Sequence, residues 1–166
     1  MKVSFRKKVI SRMKDVISKI VLIFLYKGFK ITYKYDENVK KEMDSLPNGF
    51  IVLIDTGAKN TKLVIQKKEN EIIKLKNIEN ANLEIVFKNP DVAFLMFTGR
   101  LGISKAYAEH RFTLKGEIAQ AMPLVRCMDI VEAYLFPKII TKNILKYQPN
   151  KKIGLLKTYF LALTTK

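Results

Sequence analysis

The hydrophobic residues near the start of the chain recur at helical spacing. Residues 3–26 carry apolar side chains such as Met13, Val16 and Ile20, with lysines between them. Such a pattern is typical of an amphipathic helix. Two interpretations stay open for this helix. Its apolar face packs on a core while the basic face is solvated, or it lies on a surface of anionic lipid.

After this helix the pattern weakens. Gly28 is expected to break the helix, and the alternation of apolar and polar residues over 27–35 predicts an extended or loop-like segment. Asp36 is a good N-cap residue, so a short helix is expected over residues 36–46.

The next part of the chain has a period of two residues. Four short β-branched segments follow one another closely, which favours an antiparallel meander; they cover residues 50–55, 61–67, 71–76 and 82–87. The alternation predicts one apolar face, formed by Leu63, Ile65, Ile73, Leu75, Leu83, Ile85 and Phe87. It places charged residues on a second, solvated face, namely Lys62, Lys74 and Glu84.

Helical spacing returns after the fourth strand. Asn89, Pro90 and Asp91 form a strong helix start. The remaining elements are predicted as a helix that stops at Gly99, a helical turn over 103–109, a fifth strand over 111–115 and a helix from 117 to 136. Pro123 is expected either to kink this last helix or to start a new segment.

Two amphipathic pieces are predicted in the tail, over residues 138–147 and 153–163. The second piece is strongly apolar, so it should cover a core, a partner or a membrane. The chain as a whole divides into a basic amphipathic N-terminal helical segment (1–49), a central domain (50–137) and a basic amphipathic C-terminal helical tail (138–166).

Charge supports this division. The 166 residues carry a formal net charge of +16. Residues 1–35 contribute +9 and residues 138–166 contribute +7, so residues 36–137 are neutral. Basic ends interleaved with apolar residues are typical of nucleic-acid arms or membrane-surface elements. The central sheet lacks the basic and aromatic face of an RNA-binding module, so no specific nucleic-acid partner is expected.

Candidate chemistry is sparse. Cys127 is the single cysteine and His110 the single histidine, which argues against a disulfide framework, a cysteine or histidine metal cluster and a catalytic dyad. Asp129 and Glu132 could form a general acid–base pair, but a pairing of Arg126 with Asp129 at i,i+3 explains them more simply. No run of residues is long enough to span a bilayer, and no secretory signal is expected.

Residues 50–122 resemble the sterol carrier protein type-two (SCP-2) lipid-binding family. The resemblance rests on the order of elements and on local motifs: NLEIVF, NPDVAFLMFTGRLG and SKAYAEHRFTLKGEIAQAM, followed by an amphipathic helix. Within them, Thr98-Gly99-Arg100, Lys105-Ala106-Tyr107, the strand from Phe112 to Gly116, and Ala121-Met122 match the family pattern. Tyr107 stands where the family usually has a phenylalanine, and both ends look longer than the compact family domain.

The resemblance implies an α+β fold, with a five-stranded antiparallel sheet, helices over one face and an apolar tunnel between them. It implies a non-catalytic protein without cofactor or metal that holds a fatty-acyl, sterol-like or other apolar ligand. Large, adaptable side chains are expected to line the tunnel: Phe87, Phe94, Met96, Phe97, Leu101, Tyr107, Phe112, Met122, Met128, Val131 and Leu135.

The expected partners are a lipid or fatty-acid ligand and, through the basic termini, an anionic membrane surface; a homodimer is left open. The expected location is the cytoplasm, with peripheral contact to a membrane as an option. An alternative function is an accessory scaffold that presents a lipid-like intermediate, such as a quinone-type compound, to a partner enzyme.

Overall fold

A computed structural model gives the fold of the protein. It describes residues 2–58, 61–76, 78–145 and 149–164, without the side chains of residues 2–11 and 143. The five strands are β1 (Ile51–Asp55), β2 (Lys62–Lys68), β3 (Glu71–Leu75), β4 (Leu83–Phe87) and β5 (Phe112–Lys115). The helices are α1 (Lys2–Tyr35), α2 (Glu37–Asp44), α3 (Pro90–Phe97), α4 (Ile103–Ala108), α5 (Ile118–Leu135), α6 (Lys138–Ile144) and α7 (Leu155–Thr164).

The strands form one sheet in the order β3-β2-β1-β4-β5. The expected α+β fold with a five-stranded sheet is therefore confirmed. Three of the strand pairs are antiparallel, as predicted, but β1 and β4 run parallel, with Val52 opposite Leu83 and Ile54 opposite Ile85. The sheet is mixed because β4 joins the far side of β1 instead of extending the meander beyond β3.

The core lies between one face of the sheet and the helices. The sheet contributes Val52, Ile54, Leu63, Ile65 and Ile85, each at most 2% exposed. The helices α1 to α5 all add buried residues to the same cluster, including Phe29 of α1 and Val39 of α2. Residues on both sides of position 49 thus pack in one core, while the three-part division of the chain stays a prediction.

Helix α1 is longer than the sequence pattern indicates. The extended segment expected over residues 27–35 is wrong, because the helix continues through Gly28 to Tyr35. A Cβ atom at Gly28 would lie 2.8 Å from Cγ1 of Val131, so this glycine permits a close approach of α1 and α5. This part of α1 is buried on several sides, and a helix buried all round loses its amphipathic period.

The two faces of β3 are the reverse of those expected. Ile72 is fully buried, whereas Ile73 and Leu75 lie opposite Gln66 and Val64 on the outer face of the sheet. Lys74 lies opposite the buried Ile65 and is exposed at the sheet edge. Two neighbouring isoleucines made the alternation of this strand ambiguous, and its register with β2 decides which of them is buried.

The outer face of the sheet is also less polar than expected. Two cross-strand ion pairs lie there, Lys62 with Asp55 at 2.7 Å and Lys115 with Glu84 at 3.0 Å. Between them the face carries half-buried aliphatic side chains, namely Ile51, Leu53, Ile73, Leu75 and Val86.

The end of the chain packs on α1. Helix α7 buries Thr158 and Ala162, and the ring of Tyr159 meets Phe24 of α1 edge-on at 6.4 Å. Helix α5 runs continuously through Pro123. The predicted piece over 138–147 ends at Ile144, and residues 146–148 lie outside the described residues.

Candidate functional site

An apolar pocket opens between α4, β5 and the first half of α5. It has a volume of about 230 Å³. Its lining is formed by Ile103, Ser104, Tyr107, Phe112, Leu114, Ile118, Ala121, Met122 and Val125. We refer to these nine residues as the apolar pocket. Apart from the Ser104 and Tyr107 hydroxyls, its side chains are hydrocarbon or thioether, so it suits a ligand without strong polar groups.

The rim of the apolar pocket exposes three large hydrophobic side chains to solvent. Ile118 is 64% exposed, Tyr107 is 50% exposed and Met122 is 46% exposed. An exposed cluster of large apolar residues around a concave site marks a binding surface. Methionine and tyrosine suit such a rim because both present an adaptable or amphipathic body.

A cluster of aromatic rings forms one wall of the pocket. Phe112 lies at its centre, with Tyr107 at 5.7 Å and Phe87 at 5.6 Å between ring centroids. Phe87 in turn meets Phe97 at 5.7 Å. The register explains the position of Phe112, because Phe112 lies directly opposite Phe87 across the β4–β5 ladder. The wall therefore connects the pocket to the core.

A polar pocket of about 330 Å³ adjoins the apolar one. It is lined by Asn38, Glu42, Ser104, Arg126, Asp129, Ile130, Ile144 and Pro149, which we call the polar pocket. Ser104 lines both pockets. The two linings also continue along α5, since Met122, Val125, Arg126 and Asp129 succeed one another at spacings that share one helix face. The two pockets therefore lie side by side, one apolar and one polar, and we refer to them together as the groove.

Arg126 is held by α2 and not by its own helix. Its guanidinium donates two hydrogen bonds of 2.7 Å to the Glu42 carboxylate. The expected i,i+3 pairing of Arg126 with Asp129 is therefore wrong, because the bidentate partner across the α2–α5 contact has better geometry. No hydrogen-bond or ion-pair partner of the Asp129 carboxylate lies in the described part of the chain.

Two carboxyl groups of α5 sit in poorly solvated positions. Burial raises the pKa of Asp129 to about 6. Burial, with a further contribution from the negative charge of Asp129, raises the pKa of Glu132 to about 8. Glu132 is only 6% exposed, and within the described residues its Oε2 atom has no hydrogen-bond partner. At neutral pH, Glu132 is therefore mostly protonated and Asp129 mostly ionised.

The Gly-Arg-Leu-Gly turn helps to close the polar pocket. A Cβ atom at Gly102 would lie 2.5 Å from the carbonyl oxygen of Ile144. Gly102 is thus needed for the close approach of α6 to the start of α4. Ile144 then forms part of the pocket wall. Gly102 is consequently a packing feature of this turn.

The eleven ligand-binding residues expected from sequence fall into two groups. Three of them, Tyr107, Phe112 and Met122, line the apolar pocket. The others lie outside its lining; most are buried in the core, while Phe94 and Leu101 are half-buried. This group comprises Phe87, Phe94, Met96, Phe97, Leu101, Met128, Val131 and Leu135. Their role as ligand contacts stays a prediction.

Sequence reasoning missed six lining residues of the apolar pocket. They are Ile103, Ser104, Leu114, Ile118, Ala121 and Val125. Spacing along the last helix could have found part of this set, because Ile118, Ala121, Met122 and Val125 follow one helix face. It could not show that this face remains open beside β5.

Cys127 and His110, the other candidate reactive residues, have ordinary structural surroundings. Cys127 is buried, which raises the pKa of its thiol, and its Sγ lies 3.7 Å from the carbonyl oxygen of Val39. His110 occupies a left-handed position (φ 52°) in the turn before β5. Within the described residues no cluster of His, Cys, Asp or Glu could hold a metal ion.

A larger hollow of about 760 Å³ beside the β2–β3 turn is shallow and polar-lined.

The chain was compared with known proteins. No protein-family model and no curated protein sequence matches it. Among solved structures, it is similar to a UbiJ-SCP2 ubiquinone synthesis protein, at 12% identity and a TM-score of 0.44, over 77% of this chain and 99% of that chain. It is also similar to apo sterol carrier protein 2 from Yarrowia lipolytica, at 10% identity and a TM-score of 0.46, over 66% of this chain and 88% of that chain. Both structures bear the SCP2 name.

Proposed function

We propose that the protein binds a lipid-like ligand in the groove along α5, as a non-catalytic carrier. The observation that carries this proposal is the apolar pocket, which opens through exposed Tyr107, Ile118 and Met122. If these side chains had no binding role, burying them would stabilise the protein by roughly 25 cal/mol per Å² of apolar surface. Their exposure is better explained by a ligand that covers them.

The volume bounds the ligand. At about 230 Å³ the apolar pocket is smaller than the ~300–1,000 Å³ of ordinary small-molecule sites. With the polar pocket of about 330 Å³ the groove enters that range. We infer a ligand with an alkyl or prenyl-like body of moderate length. The tunnel between sheet and helices expected from the family resemblance stays a prediction.

A series of normal alcohols, from hexanol to dodecanol, tests this proposal. Each methylene that enters the apolar pocket contributes ~0.8 kcal/mol, which corresponds to an about fourfold tighter dissociation constant. Displacement of a fluorescent fatty alcohol should show this slope until the pocket is full. Affinities that do not change with chain length would refute binding in an apolar pocket.

Val125→Phe tests the location of the ligand. Val125 is half-buried in the pocket wall, so a phenyl ring there should fill much of the space and weaken binding of dodecanol by about tenfold or more. Ile139→Phe is the matched control, because Ile139 of α6 is 83% exposed and lies outside the groove. Equal effects of the two variants would place the ligand elsewhere.

We further propose that the carrier docks on anionic membranes through α1 and α7. Met13, Val16, Ile20 and Ile23 form an exposed stripe on α1. Leu156, Phe160 and Leu163 form a second stripe on α7, which packs beside α1. Both helices belong to the basic ends of a chain with net charge +16, and each basic residue near an anionic surface contributes ~1 kcal/mol. No helix in the described ranges is long and apolar enough to cross a membrane.

Flotation with vesicles tests the docking. Binding to vesicles that contain phosphatidylserine should exceed binding to phosphatidylcholine alone and should fall as salt rises. Val16→Asp combined with Phe160→Asp should weaken this binding, while the exposed outer-sheet substitution Thr113→Asp should have little effect. Unchanged flotation of the double variant would refute the proposed surface.

A second candidate function is a scaffold that presents a lipid-like intermediate to a partner enzyme. The exposed stripe of α7 favours it, because the same side chains could contact a protein. Affinity capture with the full chain and with Phe160→Asp separates the alternatives. Loss of one specific partner enzyme, with vesicle binding intact, would support the scaffold over membrane docking.

A further inference from the structure

We infer that the groove selects ligands by their head group and takes an amphipath with a neutral or cationic hydrogen-bond donor head in preference to a carboxylate. This inference rests on the proposed function, since it assumes that the apolar pocket holds the apolar part of the ligand. The polar pocket then receives the head, because it adjoins the apolar pocket at Ser104.

The charge of the polar pocket carries the argument. Among the described residues, its lining contains the carboxylates of Glu42 and Asp129 and the guanidinium of Arg126, which together give a formal charge of −1. Arg126 directs both donated hydrogen bonds to Glu42, with distances of 2.7 Å. The described part of this lining thus holds one guanidinium, whose charge Glu42 already balances, so an incoming carboxylate would meet no uncompensated cation there.

Asp129 is the acceptor that remains. Its carboxylate is half-buried in the lining, and among the described residues nothing donates to it. Solvent is partly excluded there, and this burial raises the pKa of Asp129. A hydroxyl or ammonium head would donate to this acceptor, whereas a carboxylate head would repel it.

Within the described residues, the surrounding elements contribute no further cation to this lining. Helix α2 contributes Asn38 and Glu42, α4 contributes Ser104, and α6 contributes Ile144. On α5 the next titratable group is Glu132, whose pKa the Asp129 charge helps to raise. A negatively polarised pocket is notable in a chain of net charge +16, whose overall field would otherwise favour anionic ligands.

Three ligands with the same chain and different heads test the inference: dodecylamine, dodecanol and laurate. At about pH 7.5 and physiological salt, the amine and the alcohol should bind at least about tenfold more tightly than laurate, a difference of ~1.4 kcal/mol. Because the overall charge of the protein acts in the opposite direction, a preference for the amine cannot come from long-range attraction.

Substitutions at the polar pocket should change the selectivity in both directions. Asp129→Asn should lower the amine-to-laurate affinity ratio by at least about fivefold and leave dodecanol within about twofold, since the amide still accepts a hydrogen bond. Asn38→Asp adds a carboxylate to the same lining and should raise the ratio. Glu79→Gln removes the same charge at an exposed loop position and should leave the ratio unchanged.

The outcomes separate this inference from the proposed function. If dodecanol binds and Val125→Phe weakens it, but laurate binds as tightly as the amine, the head-group inference is wrong and lipid binding stands. If the ratio responds equally to Asp129→Asn and Glu79→Gln, the selectivity comes from overall charge and the inference is also wrong. If none of the three ligands binds, the proposed function fails first.

Discussion

Replacing Glu132 by glutamine should remove a pH dependence from the free energy of unfolding. Glu132 lies in the last turn of α5, with 6% of its surface exposed. Burial, helped by the nearby negative charge of Asp129, raises the pKa of its carboxyl group from 4.5 to about 8. The protonated carboxyl and glutamine are similar in size, so the variant should keep the native packing.

The direction of the effect follows from proton binding. Below about pH 4.5 the carboxyl is protonated in the folded and the unfolded chain, so it does not affect their balance. Between about pH 4.5 and about pH 8 it is ionised in the unfolded chain but still protonated in the native protein. The native state then binds more protons, and the free energy of unfolding falls as pH rises.

The magnitude can be worked from the same window. Each pH unit within it lowers the free energy of unfolding by ~1.4 kcal/mol, which gives roughly 5 kcal/mol over the whole window. Local relaxation and water penetration reduce the effective cost of burying a charge. We therefore expect about 2–4 kcal/mol, a large part of the ~5–15 kcal/mol that stabilises a typical domain.

Urea unfolding of wild type and Glu132→Gln, followed by circular dichroism from about pH 5 to about pH 8.5, measures this difference. The variant should gain relative stability steadily with pH, since every other titrating group is common to both proteins. In Asp129→Asn the pKa of Glu132 should be lower, which narrows the window. A stability difference that is the same at both ends of the pH range would refute the reasoning.

Two further predictions concern the packing of the helices. Gly28→Ala should lower the free energy of unfolding by about 1–3 kcal/mol, because the new methyl group would lie 2.8 Å from Val131. Gly154→Ala is the control: its methyl group meets nothing within 4 Å, so it should change the free energy of unfolding by less than about 1 kcal/mol. Equal shifts of the melting temperature in the two variants would contradict the close α1–α5 contact. Tyr134→Phe should cost about 1–3 kcal/mol, because the hydroxyl donates to Asp36 at 2.8 Å and accepts from the Lys152 N–H at 2.6 Å. The exposed Tyr35→Phe is the control in the same denaturation assay, and a loss of similar size there would argue against the buried network.

Local signals predicted the strands and the later helices well. Asn89 caps α3 through a 3.0 Å hydrogen bond from the Val92 N–H, and Asp36 caps α2 in the same manner. These interactions involve neighbouring residues, so the sequence contains all the information that fixes them. The positions of β1, β2, β4 and β5 followed equally well from β-branched alternation.

Contacts between residues that are distant in sequence determine the features that local signals did not predict. Gly28 looked like a helix breaker because the sequence does not show that α5 approaches it. The β1–β4 pair is parallel because of the path of the chain after β3, which alternation does not encode. Arg126 forms its hydrogen bonds with Glu42, a residue 84 positions away, and not with its neighbour Asp129.

The residues of the candidate site also divide into those that the sequence predicted and those that it did not. The aromatic and methionine residues Tyr107, Phe112 and Met122 were found because their side-chain types suit a ligand wall. Ala121 and Ser104 were missed because their small side chains mark a pocket only through their position in the folded chain. The polar pocket was not foreseen at all, since it joins α2 to α5 and exists only in the folded chain.

The connectivity of the groove gives its two ends different folding histories. Every residue of the apolar pocket lies between Ile103 and Val125, so its contacts close short loops and we expect them to form early. The polar pocket must bring Asn38 and Glu42 to Arg126 and Asp129 across more than half of the chain, so we expect it to be completed later. A partly opened molecule that has released α2 would therefore retain the surface that attracts a hydrocarbon chain and lose the means to distinguish its head.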